Sequence, residues 1–211
     1  VPDATTIATK AAFESLLQGI TYINNTDDPT DGNRTITVSV TDAGFNDTTS
    51  LSGQQNSSAT ITQITINVDP VNDQPVITGL DAVSFFENAL NVTADVIDGS
   101  ITLTDIDSDN YDGGSLTVSG LDSADTVALP TSASDSSGNI KWTGIAGGNV
   151  EHYNGTVWGV IGTANGGTGN NFVVSFNSST TADIAQRVIE SLTFANSSDN
   201  PTTSRTLSYA V

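Results

Sequence analysis

"AQRVIESLTFANSSDNPTTSRTLSYAV", residues 185–211, repeats a pattern already met in "FESLLQGITYINNTDDPTDGNRTITVSV", residues 13–40. Ala185, Val188, Ile189 and Leu192 fall on Phe13, Leu16, Leu17 and Ile20. Phe194 falls on Tyr22, Pro201 on Pro29 and, after a one-residue gap, Arg205 on Arg34. Apolar residues at i, i+3, i+4 and i+7 predict one inward face of a short helix. Thr180 or Thr181 is placed to cap the second helix, and Asp183 suits its first turn. Each helix leads into a short strand, "ITY" or "LTF". A polar Asp/Asn/Pro turn follows, and then an alternating strand, "RTITVSV" or "RTLSYAV". Most of the match is offset by 172 residues. Solenoid repeats run about 20–50 residues, so the pattern predicts a tandem array of whole domains.

The remaining sequence is strand-like. "ATITQITINV" (59–68), "NVTADV" (91–96), "SITLT" (100–104), "SLTVSG" (115–120), "TVWGVIG" (156–162) and "NFVVSFN" (171–177) are rich in β-branched and aromatic residues. Turns of Gly, Asn and Asp separate them. Many short strands at near-regular spacing predict an all-β fold: antiparallel β-sandwiches with one short inserted helix per repeat. "DPVNDQP" (69–75) supplies the boundary. Its two prolines are unsuited to a helix interior or a central strand. Residues 1–70 therefore read as the C-terminal part of one repeat. Residues 71–211 read as a second repeat lacking its last strand, the two together a window cut from a longer array.

Composition narrows the function. The chain has 211 residues, a formal charge of −19 and five Lys and Arg, scattered without a basic stripe. A nucleic-acid backbone is a poor partner for such a surface. No apolar run approaches the roughly 20 residues of a membrane span. The start, without Met or signal-like segment, reads as a mature or excised piece. Cysteine is absent, which removes disulfides as a staple and makes bound metal the candidate replacement. The acids are 20 Asp and only 4 Glu, and the Asp cluster in turns such as Asp105 to Asp112. Short carboxylates converging in turns suit one hard cation.

Three stretches carry a family resemblance. "DPVNDQP" before a new unit, "FFENALN" (85–91) early in it and "TDIDSDN" (104–110) beyond resemble the cadherin-like pattern. The "NPT..RT" tracts are similar to tandem repeats of very large bacterial surface and secreted proteins, the RTX-type adhesins and their relatives. The resemblance implies Ig-like or cadherin-like sandwiches, extracellular, secreted or at the cell surface. It also implies calcium at the joints. In that pattern Asp69, Asn72 and Asp73 of the linker share the ion with Asp105 and Asp107, joined by Asp109, of the following domain. A Glu of the preceding domain completes the set. The matching Glu of this unit is Glu87, which would serve the next joint.

Other motifs carry less. Position 12 counted from Asp105 is Leu116 rather than Glu, so an EF-hand is rejected. "GGTGNNFVV" approaches a β-roll calcium nonapeptide but stands alone, and a glycine-rich hairpin turn is expected. His152 sits in the turn-like "VEHYNG" and is expected at the surface. Trp142, Tyr153 and Trp158 form a candidate sugar-stacking set, with core packing as the commoner outcome. There is no Cys, no G-x-S-x-G and a single His, so no enzyme is expected. The leading expectation is a calcium-stabilised structural or adhesive repeat of a bacterial extracellular protein, with neighbouring repeats or a cell-surface ligand as partners. The alternatives are a repeat of an extracellular filament joined through edge strands and a carbohydrate-binding module.

Overall fold

The structure is a computed structural model and describes residues 10–39, 62–136 and 138–211. The chain divides into two compact units, one ending at Val71 and the other running from Asn72 to Val211. Strand predominates over helix, and among the described residues every strand pair is antiparallel.

The first unit shows helix α1 (Lys10–Gln18) and strands β1 (Gly32–Val38) and β2 (Thr62–Val68). The strands pair from Gly32 opposite Val68 to Val38 opposite Thr62. The Arg34 guanidinium donates to the carbonyls of Thr30 and Gly32, which closes the Asp/Pro turn leading into β1. The expected strand at "ITY" does not form. The expected inward helix face is also corrected: Leu16 is 65% and Ile20 56% exposed. Periodicity produced the helix, but among the described residues the unit offers only the β1–β2 pair to cover it. Val40 and the start of the strand expected from residue 59 lie outside the described residues.

The second unit begins with β3 (Val76–Thr78), helix α2 (Glu87–Leu90), β4 (Asp95–Val96), β5 (Thr102–Thr104) and β6 (Ser115–Ser119). Then come β7 (Asp125–Ala128), β8 (Ile140–Trp142), β9 (Gly148–Tyr153), β10 (Trp158–Gly166) and β11 (Phe172–Phe176). Helix α3 (Ala182–Glu190), β12 (Thr193–Asn196) and β13 (Ser208–Ala210) complete it. A six-stranded sheet runs β13-β6-β11-β10-β9-β8, a three-stranded one β4-β12-β7, and β3 pairs with β5.

One core joins these parts. Leu116, Val118, Val150, Phe172 and Val174 of the larger sheet meet Val127 and Phe194 of the smaller one, with Ile101 and Leu103 around β5. Helix α3 adds Val188 and Ile189, and Leu192 follows it, all buried as the spacing predicted. Thr181 is the N-cap, accepting from the Ile184 amide at 3.4 Å, and Asp183 pairs with Arg187 one turn on at 3.1 Å. Thr180 instead turns inward and donates to the Ile161 carbonyl at 2.6 Å.

Two local expectations change. "NVTADV" keeps only the two-residue β4, because the preceding turn of helix α2 buries Leu90 and uses the chain up to Asn91. "VEHYNG" is not a turn up to Tyr153: it ends β9, where His152 is half-buried opposite Ile140 and Gly159.

The "GGTGNN" stretch is the β10–β11 connection, with Gly166 opposite Phe172. Gly167 there has φ +100°, and its carbonyl accepts the Val127 amide at 2.8 Å. A Cβ on Gly167 would lie 2.1 Å from the Val127 oxygen. Gly167→Ala should therefore destabilise the second unit by at least about 1–3 kcal/mol. Chemical denaturation checks this, and an unchanged midpoint would refute the close approach of hairpin and β7.

Candidate functional site

The site grows from the β3–β5 register. Val76 lies opposite Thr104. Running that antiparallel frame backward from Val76 and forward from Thr104 sets Pro75 beside Asp105, Asp73 beside Asp107 and Asn72 beside Ser108. The side chains confirm the frame beyond the strands. The Asp73 amide donates to Asp107 Oδ2 at 2.8 Å. Ser108 Oγ lies 3.4 Å from both Asn72 Oδ1 and Asp107 Oδ1. Asn72 Nδ2 donates to the Asp73 carbonyl at 2.7 Å. The stretch after the boundary is thus tied directly onto the D-x-D run.

Asp105 differs from its neighbours. Its Oδ1 is buried and makes no hydrogen bond of good geometry, and the same is true of the Tyr111 hydroxyl, which lies close enough to interact with that carboxylate. Burial, and then the nearby Asp105 carboxylate, push the Tyr111 hydroxyl up to about 12. A buried carboxylate oxygen so poorly paired is costly, and a better-placed Tyr111 hydroxyl or a cation would compensate it. Farther along the same frame, Asp107, Asn72 and the Asp73 carbonyl offer oxygens of the hard kind that suits calcium.

The other expected ligands are placed apart or loosely. Asp109 is exposed on the loop after Asp107. Glu87 is the exposed first residue of α2. Asp69 belongs to the first unit, where it accepts the Asn67 side-chain amide at 2.5 Å. Among the described residues no three Asp, Glu or His side chains form a ready metal cage. The structure therefore brings together Asn72, Asp73, Asp107 and Ser108, and the register sets Asp105 two residues earlier, beside Pro75.

The aromatic set does not assemble as one surface. Trp142 is in the core, edge-on to Phe172 at 5.6 Å. Tyr153 and Trp158 do meet, 5.3 Å apart, but Lys141 Nζ lies 4.0 Å from the Trp158 ring centre. Trp158 Nε1 donates to Asp135 at 2.6 Å, and Lys141 pairs with Glu151 at 3.0 Å. One candidate member is thus buried, and the Trp158 ring carries a cation.

Sequence reasoning missed the polar centre of the unit. Asp125, fully buried at the start of β7, accepts Arg205 Nε at 2.7 and 2.9 Å. It also accepts Asn196 Nδ2 at 2.6 Å and the Asp122 amide at 2.7 Å. Arg205 donates onward to the Thr202 carbonyl. Thr202 is the repeat counterpart of Thr30, so both arginines hold the same turn. Burial by itself would raise the Asp125 pKa, but the bonds from Arg205, Asn196 and Asp122 outweigh it and hold the carboxyl below its usual range. The repeated Arg was the available signal; its partner, one of two Asp in "LDSADT", gave none.

Comparison with known protein families, characterised proteins and solved structures returns no match. Among the described residues no helix is long and apolar enough to cross a membrane.

Proposed function

We propose that the chain is a calcium-stabilised structural or adhesive module of a large bacterial extracellular protein, built from tandem cadherin-like, Ig-like β-sandwiches. The observation that carries this reading is the Asp73–Asp107 hydrogen bond at 2.8 Å, two residues along from the poorly paired Asp105 carboxylate. It ties a D-x-x-N-D stretch to a D-x-D run at the start of a unit. Asp105, Asp107, Asn72 and Asp73 would hold the ion, with Asp109 as a further oxygen donor and Glu87 serving another joint. The bound ion supplies counter-charge to a chain of net charge −19. The residues themselves fix the segment that leaves the boundary against β5, so that one repeat presents a defined end to the next. The role is mechanical rather than catalytic.

Thermal unfolding of the full chain tests it. Calcium at 100 times its Kd should add about 2.7 kcal/mol to the second unit. Asp105→Ala/Asp107→Ala should abolish that rise, and Tyr111→Phe, which keeps the carboxylates, should retain it. An equal calcium response in wild type and the double Ala variant would overturn the reading.

A further inference from the structure

The six-stranded sheet ends at β13, which bonds β6 on one side and no strand on the other among the described residues. An edge of unpaired amides and carbonyls is a template for another strand. The internal repeat says which strand fits. β13 lies in the tract that corresponds to β1, and the two alternate in the same phase. Arg34, Ile36 and Val38 are half-buried with exposed Thr35 and Thr37 between them. Arg205, Leu207 and Tyr209 are half-buried with exposed Thr206 and Ser208 between them. In the first unit this strand carries β2, with Arg34 opposite Ile66, Ile36 opposite Ile64 and Val38 opposite Thr62.

We propose that the open edge of β13, together with residues 205–207 that lead into it, is a docking site for the β2 strand of a second copy of this chain, in the register Arg205–Ile66, Leu207–Ile64 and Tyr209–Thr62. Two observations favour that occupant. Among the described residues of its own unit β2 belongs to a sheet of two strands, and Ile64 is 50% exposed. Such a ribbon is marginal by itself. Beside β13 the same strand extends a six-stranded sheet, next to Leu207 and Tyr209, which pack against the core. Charge also permits it: "TQITINV" (62–68) and "TLSYAV" (206–211) contain no ionised side chain. Copies that repel each other through a charge of −19 approach at least cost there.

The pairing uses main-chain bonds and does not rest on the calcium reading, so its test is run in excess chelator. Light scattering after size exclusion should show the full chain's mass doubling as concentration rises. Thr65→Pro, which removes a β2 amide without touching the second unit's core, should return it to monomer with unchanged tryptophan fluorescence. A synthetic peptide of residues 59–68 should compete with the dimer and slow hydrogen exchange of the 206–211 amides at least tenfold. A monomer at every concentration, a dimer indifferent to Thr65→Pro, or 206–211 amides unmoved by the peptide would each overturn the proposal.

Discussion

Replacing Arg205 with leucine lowers the stability of the second unit by about 3–5 kcal/mol, the cost of leaving a buried charge without its partner. Asp125 is fully buried and receives two of its four hydrogen bonds from Arg205. At the few degrees per kcal/mol usual for units of this size, the thermal midpoint falls by on the order of 10 °C. Removing the carboxylate as well, in Asp125→Leu/Arg205→Leu, should recover part of the loss, because an apolar pair tolerates a dry site. Arg34→Leu is the internal control. Arg34 bonds backbone carbonyls, so its loss should cost about 1 kcal/mol and leave the second unit's transition in place. The pH dependence has a fixed sign. The Asp125 pKa is depressed in the folded state. Its stabilisation is therefore present above the ordinary aspartate value of about 3.9 and is lost as pH falls below it. In Arg205→Leu that acid-side slope should flatten. Circular dichroism melts across the acid range read both effects, and an unchanged slope would show that Asp125 is not the group responsible.

Leu192→Ala is the second large effect. Leu192 is fully buried behind α3, and emptying such a site costs about 2–5 kcal/mol. Its repeat counterpart Ile20 is 56% exposed, so Ile20→Ala should change stability by no more than about 0.5 kcal/mol. Denaturant titration of the two variants gives the contrast directly. Equal losses would mean that the α1 face is covered in solution. No loss in Leu192→Ala would remove α3 from the core.

These pairs show what the sequence could and could not convey. The spacing of Val188, Ile189 and Leu192 gave helix α3 and its buried face, and Thr181 with Asp183 gave its start. The same spacing at Leu16, Leu17 and Ile20 gave helix α1 but not its exposure. Periodicity encodes which face is apolar, whereas burial depends on what lies opposite. The glycine-rich β10–β11 turn was legible because its backbone needs residues without a Cβ. Strands β7 and β8 were not, since three or four residues carry too little alternation. Asp125 looked like any turn aspartate. Its role is set by an arginine 80 positions away, and no local pattern reports such a partner. At the candidate site, the residues were legible as a type and a spacing. Their meeting required the β3–β5 register, which three-residue strands do not announce.

The distance between Asp125 and Arg205 also governs when this unit can fold. A carboxylate destined for the interior has no counter-charge until the chain 80 residues downstream has emerged. Strand β6 likewise waits for β11 and β13 before both its sides are paired. Such separations close slowly, because loop entropy is lost before any contact repays it. A growing chain therefore cannot complete this core, or pair the Asp125 charge, until its last strand is available. Timing, as well as stability, is written into a single arginine.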